Sequence, residues 1–225
     1  MPVIPLKTRD GHSLSAYTAG SASATRGLVV IQEIFGVNDH MRQVCDGFAA
    51  HGYSVVCPAL FDRVERDVEL GYQPEDIERG RALRGRIALA DTLADIDAAA
   101  AALPVGAQRG AVGYCWGGTL AWQAICASTQ FAAASCWYGA GIADALEQLP
   151  RGPVQMHFGE TDASIPAAAI ERIRQAQPSV DLYVYPQAGH GFGCAARADF
   201  EPESAALAQQ RTLAFFAKHL LRTGT

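Results

Sequence analysis

The chain has 225 residues, of which 49% are apolar and 18% charged, a composition typical of a folded protein with one sizeable core rather than a disordered one. A net charge of −5 without a basic stripe argues against nucleic acid as a partner. There is neither an apolar run of about 18 residues nor a signal-peptide pattern, so we expect a cytoplasmic protein without a membrane partner. The length predicts one domain over residues 1–225, present as a monomer or homodimer.

Apolar runs alternate with helical patterns along the chain. The first two runs, 3–7 and 13–17, flank an Asp10-Gly11 turn and predict an antiparallel hairpin. Further strands are predicted at 27–33, 53–58, 107–114, 131–138, 153–158 and 182–185. Helices are predicted at 38–51, 75–103 with a kink at Gly80 or Gly85, 119–127, 142–149, 166–177 and 201–221. This alternation indicates an α/β fold with a mostly parallel sheet and helices on both faces.

Chemically active side chains follow four of the predicted strands. Glu33 ends the first central strand, and Cys115 follows the middle one. Asp162 and His190 follow two later strands. Since ligands of parallel sheets bind where the carboxyl ends of the strands meet, these four side chains are expected to share one site.

The cysteine lies in a glycine-rich segment. Gly113 to Gly117 has the spacing G-x-C-x-G, which matches the nucleophile elbow G-x-S-x-G with cysteine in place of serine. The N-terminus of the following helix would favour a thiolate at Cys115. His190 would hold the thiol proton, and Asp162 would orient the imidazole ring. The sequence therefore predicts Cys115, His190 and Asp162 as catalytic residues.

Backbone and aromatic groups beside these side chains complete the predicted site. The N–H groups of Trp116 and Ile34 are expected to form an oxyanion hole. Phe35 and Phe192 belong to two of the site loops, and Tyr138 ends a strand at the same edge. We predict that these three rings contact the substrate, although Tyr138 could instead cover the core.

Four motifs resemble those of the dienelactone hydrolase family, the carboxymethylenebutenolidases. They are QEIFGVN at 32–38, GYCWGG at 113–118, HFGETD at 157–162 and AGHGF at 188–192, and RTLAFF at 211–216 also fits. The resemblance implies an α/β-hydrolase fold with a Cys-His-Asp triad. It also implies the opening of cyclic enol-lactones such as 4-carboxymethylene-but-2-en-4-olide, in the degradation of aromatic compounds. Glu33 would contact the thiol and assist thiolate formation when substrate arrives.

The resemblance further implies that arginines bind the substrate carboxylate. One belongs on the helical segment before the nucleophile, where Arg79 fits the family pattern better than Arg81. The second belongs four residues after His190, but this chain has Cys194 there and Arg197 three residues later. This departure predicts that the chain binds a substrate carboxylate differently from other members of the family.

Two other functions remain open at this point. A general carboxylesterase or thioesterase would use the same catalytic residues. A redox-sensing thiol protein would need Cys194 as a resolving thiol for Cys115. No His, Cys or Asp cluster has metal-ligand spacing, so neither a metal nor a cofactor is predicted. The remaining cysteines are interpreted as buried apolar groups, namely Cys45, Cys57, Cys126 and Cys136.

Overall fold

The strands of the computed structural model, which describes residues 3–221, form one sheet of eight strands. They are β1 (Val3–Lys7), β2 (Ser13–Ala19), β3 (Arg26–Ile31), β4 (Ser54–Pro58), β5 (Gln108–Tyr114), β6 (Ala133–Trp137), β7 (Val154–Gly159) and β8 (Asp181–Tyr185). The spatial order is β1-β2-β4-β3-β5-β6-β7-β8. β1 pairs antiparallel with β2, and β2 with β4, whereas the other pairs are parallel. The predicted hairpin and mostly parallel sheet are confirmed.

Six α-helices and two short 3-10 turns lie between the described strands or after the last of them. The helices are α1 (Asp39–Ala50), α2 (Pro74–Arg84), α3 (Leu89–Ala101), α4 (Trp116–Ala127), α5 (Ala167–Ala176) and α6 (Pro202–His219). The 3-10 turns span Leu60–Arg63 and Ala140–Asp144. The helical segment predicted over 75–103 is two helices, because α2 ends at Gly85, one of the two predicted kink positions, and the chain is extended at Ala88 before α3 begins.

The predicted helix at 142–149 was wrong. Only the 3-10 turn occupies the start of this segment. The carbonyls of Leu146 and Gln148 accept hydrogen bonds from the side-chain amide of Gln177, at 2.9 and 3.0 Å. A distant side chain therefore satisfies backbone groups that a helix would have paired internally.

Helices cover both faces of the sheet. A Cβ placed on Gly27 in β3 would contact Leu103, just after α3, whereas one on Gly110 in β5 would contact Phe216 of α6. Gly27 pairs with Arg109, the residue before Gly110, and successive strand residues face opposite sides. α3 and α6 therefore lie on opposite faces.

The parallel strands all end at the same edge, and the site is built there. β4, β6 and β7 are buried along their whole length, so they give the loops that follow them a rigid base. Within residues 3–221, no helix is long and apolar enough to cross a membrane. The single domain predicted for 1–225 extends beyond these residues by two positions at one end and four at the other.

Candidate active site

Cys115 occupies a tight turn between β5 and α4. Its backbone is in the left-handed region, with φ of 55°, and its N–H donates to the carbonyl of Trp137 at 3.0 Å. A Cβ on Gly113 would lie 1.9 Å from the carbonyl oxygen of Gly117, and one on Gly117 would lie 2.2 Å from that of Ile31. Side chains at these two positions would force the backbone apart, so the glycines allow the turn. Helix α4 begins at once, at residue 116 rather than at the predicted 119.

A chain of hydrogen bonds joins three of the predicted site residues. His190 Nε2 lies 3.1 Å from Cys115 Sγ, and His190 Nδ1 lies 2.7 Å from Asp162 Oδ2. The other carboxylate oxygen, Oδ1, accepts the N–H of Ser164 at 2.7 Å. The Asp162 side chain is fully buried, and that of His190 is 17% exposed. The hydrogen bond from Nδ1 to the carboxylate holds the imidazole ring so that its Nε2 faces the thiol.

The surroundings of His190 favour its protonated form. Burial alone would lower the pKa of His190, but hydrogen bonds to Asp162 and Cys115, with the charges of both, outweigh burial and raise the pKa to about 10. The ring of Tyr138 packs edge-on against the imidazole, with centroids 5.4 Å apart. An imidazolium in this position would stabilise a thiolate at Cys115.

A cavity of about 530 Å³ opens over Cys115 and His190. Three arginines, Arg81, Arg84 and Arg197, contribute positive charge to its wall. No residue of the described part forms an ion pair with Arg81 or Arg84. The apolar part of the wall comes from Ile34, Phe35, Ile77 and Trp116, and the acidic side chains that line it are Asp144 and Asp199. The cavity thus suits a small ligand that is partly apolar and carries negative charge.

Two backbone donors lie at this cavity without an acceptor. Within residues 3–221, neither the N–H of Ile34 nor that of Trp116 donates to another group. Both residues line the cavity beside Cys115. Helix α2 fixes the first of them, because a Cβ on Gly80 would lie 2.1 Å from the carbonyl oxygen of Ile34. The two N–H groups are thus available to an oxyanion.

A family model of the dienelactone hydrolase family matches residues 14–220. The chain belongs to the dienelactone hydrolase family. A Pseudomonas putida protein named carboxymethylenebutenolidase is 32% identical, with 95% of each chain covered. A Synechocystis relative, provisionally given the same name, is 38% identical, with 86% of each chain covered. A Klebsiella pneumoniae crystal structure, provisionally described as a dienelactone hydrolase, has a TM-score of 0.82 at 29% identity and covers 97% of this chain and 100% of its own.

This dienelactone hydrolase family member is therefore a hydrolase acting on ester bonds, with an α/β-hydrolase fold. No hydrogen bond joins its Glu33 to the thiol of Cys115 among the described residues. The carboxylate is fully buried, and neither oxygen has a hydrogen-bond partner among the described residues. Arg197 Nη1 lies 3.6 Å from Glu33 Oε1, an ion pair too long to be a hydrogen bond. Burial raises the pKa of Glu33, and the charges of Arg197 and His190 oppose that rise.

Several other predicted substrate contacts lie outside the cavity of this member of the dienelactone hydrolase family. Arg79 pairs with Glu65 and is 55% exposed, so the arginine that fits the family pattern better points away, whereas Arg81 reaches the cavity. Tyr138 and Phe192 are fully buried. Phe192 stacks on Trp137 with centroids 5.6 Å apart, so it packs behind the site. Phe35 lines the cavity.

Two residues near the site received no role from the sequence. Arg84 lines the cavity one helical turn after Arg81, and this i, i+3 spacing is the signal that would have found it. His40, in the first turn of α1, lies beside Glu33 and Cys194, with the ligand atoms of the three within 4.8 Å of one another. Burial, and then the charge of Arg197, lower the pKa of His40 to about 4. No spacing rule links these three residues, since Glu33 follows β3, His40 lies in α1 and Cys194 lies in the segment between β8 and α6.

Proposed function

We propose that this protein opens a small anionic enol-lactone or ester, with Cys115 as the nucleophile. The observation that carries the proposal is the hydrogen-bonded chain from Cys115 through His190 to Asp162 at the floor of the cavity. The substrate class follows from the carboxymethylenebutenolidase name of the Pseudomonas putida relative and from the arginines of the cavity wall. An enol-lactone with a carboxylate, such as 4-carboxymethylene-but-2-en-4-olide, has the required chemistry.

The first step is acylation of the thiol. The thiolate of Cys115 attacks the carbonyl carbon, and the electron pair of the C=O bond moves to the oxygen. That oxyanion accepts hydrogen bonds from the N–H groups of Ile34 and Trp116. The ring C–O bond then breaks, its electron pair stays on the enol oxygen, and protonated His190 donates the proton from Nε2. The oxyanion re-forms the C=O bond, and the product is a thioester on Cys115 whose acyl chain carries the enol, beside a neutral imidazole.

The second step is hydrolysis of the thioester. Neutral His190 takes a proton from water, and the water oxygen attacks the thioester carbonyl. When the C–S bond breaks, its electrons return to Cys115 as thiolate beside the imidazolium, the same pair that began the acylation step. The carboxylate of Asp162 stabilises the imidazolium throughout without exchanging a proton.

Arg197 is the cation best placed to bind the substrate carboxylate. It is 13% exposed and lines the cavity, and it stands close to the position where the family arginine is replaced by Cys194. A substrate carboxylate would compete with Glu33 for its guanidinium. Glu33 would then be free to approach the thiol, which is the role that the family resemblance assigns to it.

The test is to replace Cys115 with Ala and measure hydrolysis of a lactone and of nitrophenyl esters. Loss of a nucleophile is expected to lower kcat by about three orders of magnitude or more. Cys126→Ala is the matched control, since Cys126 lies on α4 and is absent from the cavity wall. Mass spectrometry after iodoacetamide treatment should find the adduct on Cys115. An adduct on Cys194 with Cys115 unmodified would contradict the proposal.

A further inference from the structure

Next to the active site lies a cluster of three side chains with metal-binding chemistry. Glu33, His40 and Cys194 each offer one ligand atom, and these atoms lie within 4.8 Å of one another. Both carboxylate oxygens of Glu33 and Nε2 of His40 are buried with no hydrogen-bond partner in the described part of the chain. An unsatisfied buried polar atom costs about 1 to 3 kcal/mol, so hydrogen bonding does not account for this arrangement.

We propose that Glu33, His40 and Cys194 bind a divalent cation of the zinc type. A carboxylate oxygen, an imidazole nitrogen and a thiolate sulfur are all ligands that Zn²⁺ accepts, and the mixture favours Zn²⁺ over the hard cations Mg²⁺ and Ca²⁺. On binding, the Cys194 thiol releases its proton to solvent and the sulfur lone pair forms the bond to the metal. No redox partner is needed for this step.

The geometry allows a tetrahedral ion after a small adjustment. Zinc–ligand distances of about 2.0 to 2.3 Å place tetrahedral ligand atoms roughly 3.5 Å apart. The 4.8 Å spread therefore has to close by only about 1 Å, which side-chain rotation can provide. Water would take the fourth position, as in sites with three protein ligands.

A second cavity lies beside the cluster. His40 lines it together with Tyr72 and with Ala195 and Ala196, the two residues that follow Cys194. The same wall carries Asp39 and Glu69, both of which also pair with Arg42. This cavity shares no lining residue with the one over Cys115, so the two cavities are distinct.

Arg197 is the group that opposes the ion. Its guanidinium lies 3.6 Å from Glu33 Oε1, so a cation must bind through Oε2 or displace the arginine. Two positive charges sharing one carboxylate repel each other. Arg197→Met is therefore expected to bind the ion more tightly than the natural sequence.

The experiment is a titration of the chelator-treated full chain with Co²⁺ and then Zn²⁺. Tetrahedral Co²⁺ held by a thiolate shows a sulfur-to-metal charge-transfer band, and Zn²⁺ should abolish it by displacement. The band should be lost in Cys194→Ser and in His40→Gln and be kept in Cys126→Ser. It should also be kept in Cys115→Ala, which separates this site from metal captured by Cys115 and His190.

Three outcomes would overturn the proposal. They are a band that survives both Cys194→Ser and His40→Gln, a band lost in Cys115→Ala, and no band with the natural sequence. If Cys194→Ser fails to fold by circular dichroism, His40→Gln decides. The readout is metal binding rather than hydrolysis, so its result is independent of whether Cys115 is the nucleophile.

Discussion

Charge recognition in the cavity can be tested by replacing three arginines separately with Met: Arg197, Arg81 and Arg79. The readout is the ratio of kcat/KM for a carboxylate-bearing lactone to that for its methyl ester. A ratio is needed because Arg197→Met also removes the cation beside Glu33, which changes the chemistry of both substrates alike. Only the interaction with the carboxylate distinguishes them.

The structure sets the order of the expected effects. Arg197 is 13% exposed, so its charge-assisted hydrogen bond should be worth about 1.5 to 3 kcal/mol, or roughly a 12- to 160-fold fall in the ratio. Arg81 is exposed, and solvent screening reduces its expected contribution to about 0.5 to 1 kcal/mol, or roughly 2- to 5-fold. Arg79 pairs with Glu65 outside the cavity, so Arg79→Met should leave the ratio unchanged.

Two results would refute this reasoning. One is a ratio that falls in Arg79→Met but not in Arg197→Met, because the arginine nearer the family pattern would then be the anchor despite its position. The other is equal turnover of acid and ester by the natural sequence. That result would identify the substrate as a neutral ester or lactone and favour a general carboxylesterase.

Two further predictions concern the catalytic turn and the histidine. Gly117→Ala should lower the free energy of unfolding in urea by about 1 to 3 kcal/mol, because its Cβ would lie 2.2 Å from a backbone carbonyl. The control, Gly47→Ala within α1, meets nothing within 4 Å and should stabilise the protein by roughly 0.5 to 1 kcal/mol. In Asp162→Asn the pKa of His190 should fall below about 10, because burial lowers this pKa and the negative charge of Asp162 no longer raises it. In the proposed mechanism His190 donates a proton to the leaving oxygen, so the alkaline limb of the kcat/KM profile should move to lower pH. An unmoved limb would mean that the Cys115–His190 pair does not set it.

The sheet edge and the motif loops were predictable because their signals are local. Each parallel strand is a continuous apolar run, and topology alone brings the residues after such runs together. The hairpin followed from a two-residue turn signal. The prediction of a helix at 142–149 failed because the side chain of Gln177 pairs with the backbone of that segment. No local sequence pattern reports a hydrogen bond from so far along the chain.

The arginines were not predictable because they depend on how α2 is rotated. Residues two apart on a helix point about 200° away from each other, so Arg79 and Arg81 cannot both face the cavity. Which one does so is fixed by the contact of Gly80 with the Ile34 carbonyl, a tertiary contact. The prediction that Phe192 and Tyr138 contact the substrate also depended on tertiary packing. The sequence places them at the correct edge, but only packing shows that they lie behind it.

The contact between Gly80 and Ile34 couples one wall of the cavity to the turn that follows β3. Helix α2 carries Arg81 and Arg84, two of the arginines of the cavity wall, and its backbone rests on the carbonyl of Ile34, the residue whose N–H is a proposed oxyanion donor. A graft of α2 from a relative with different specificity would therefore change the position of that donor unless residue 80 remained glycine. Selection for new substrates has more freedom at the outward-facing side chains of α2, which can change while the axis of the helix stays in place.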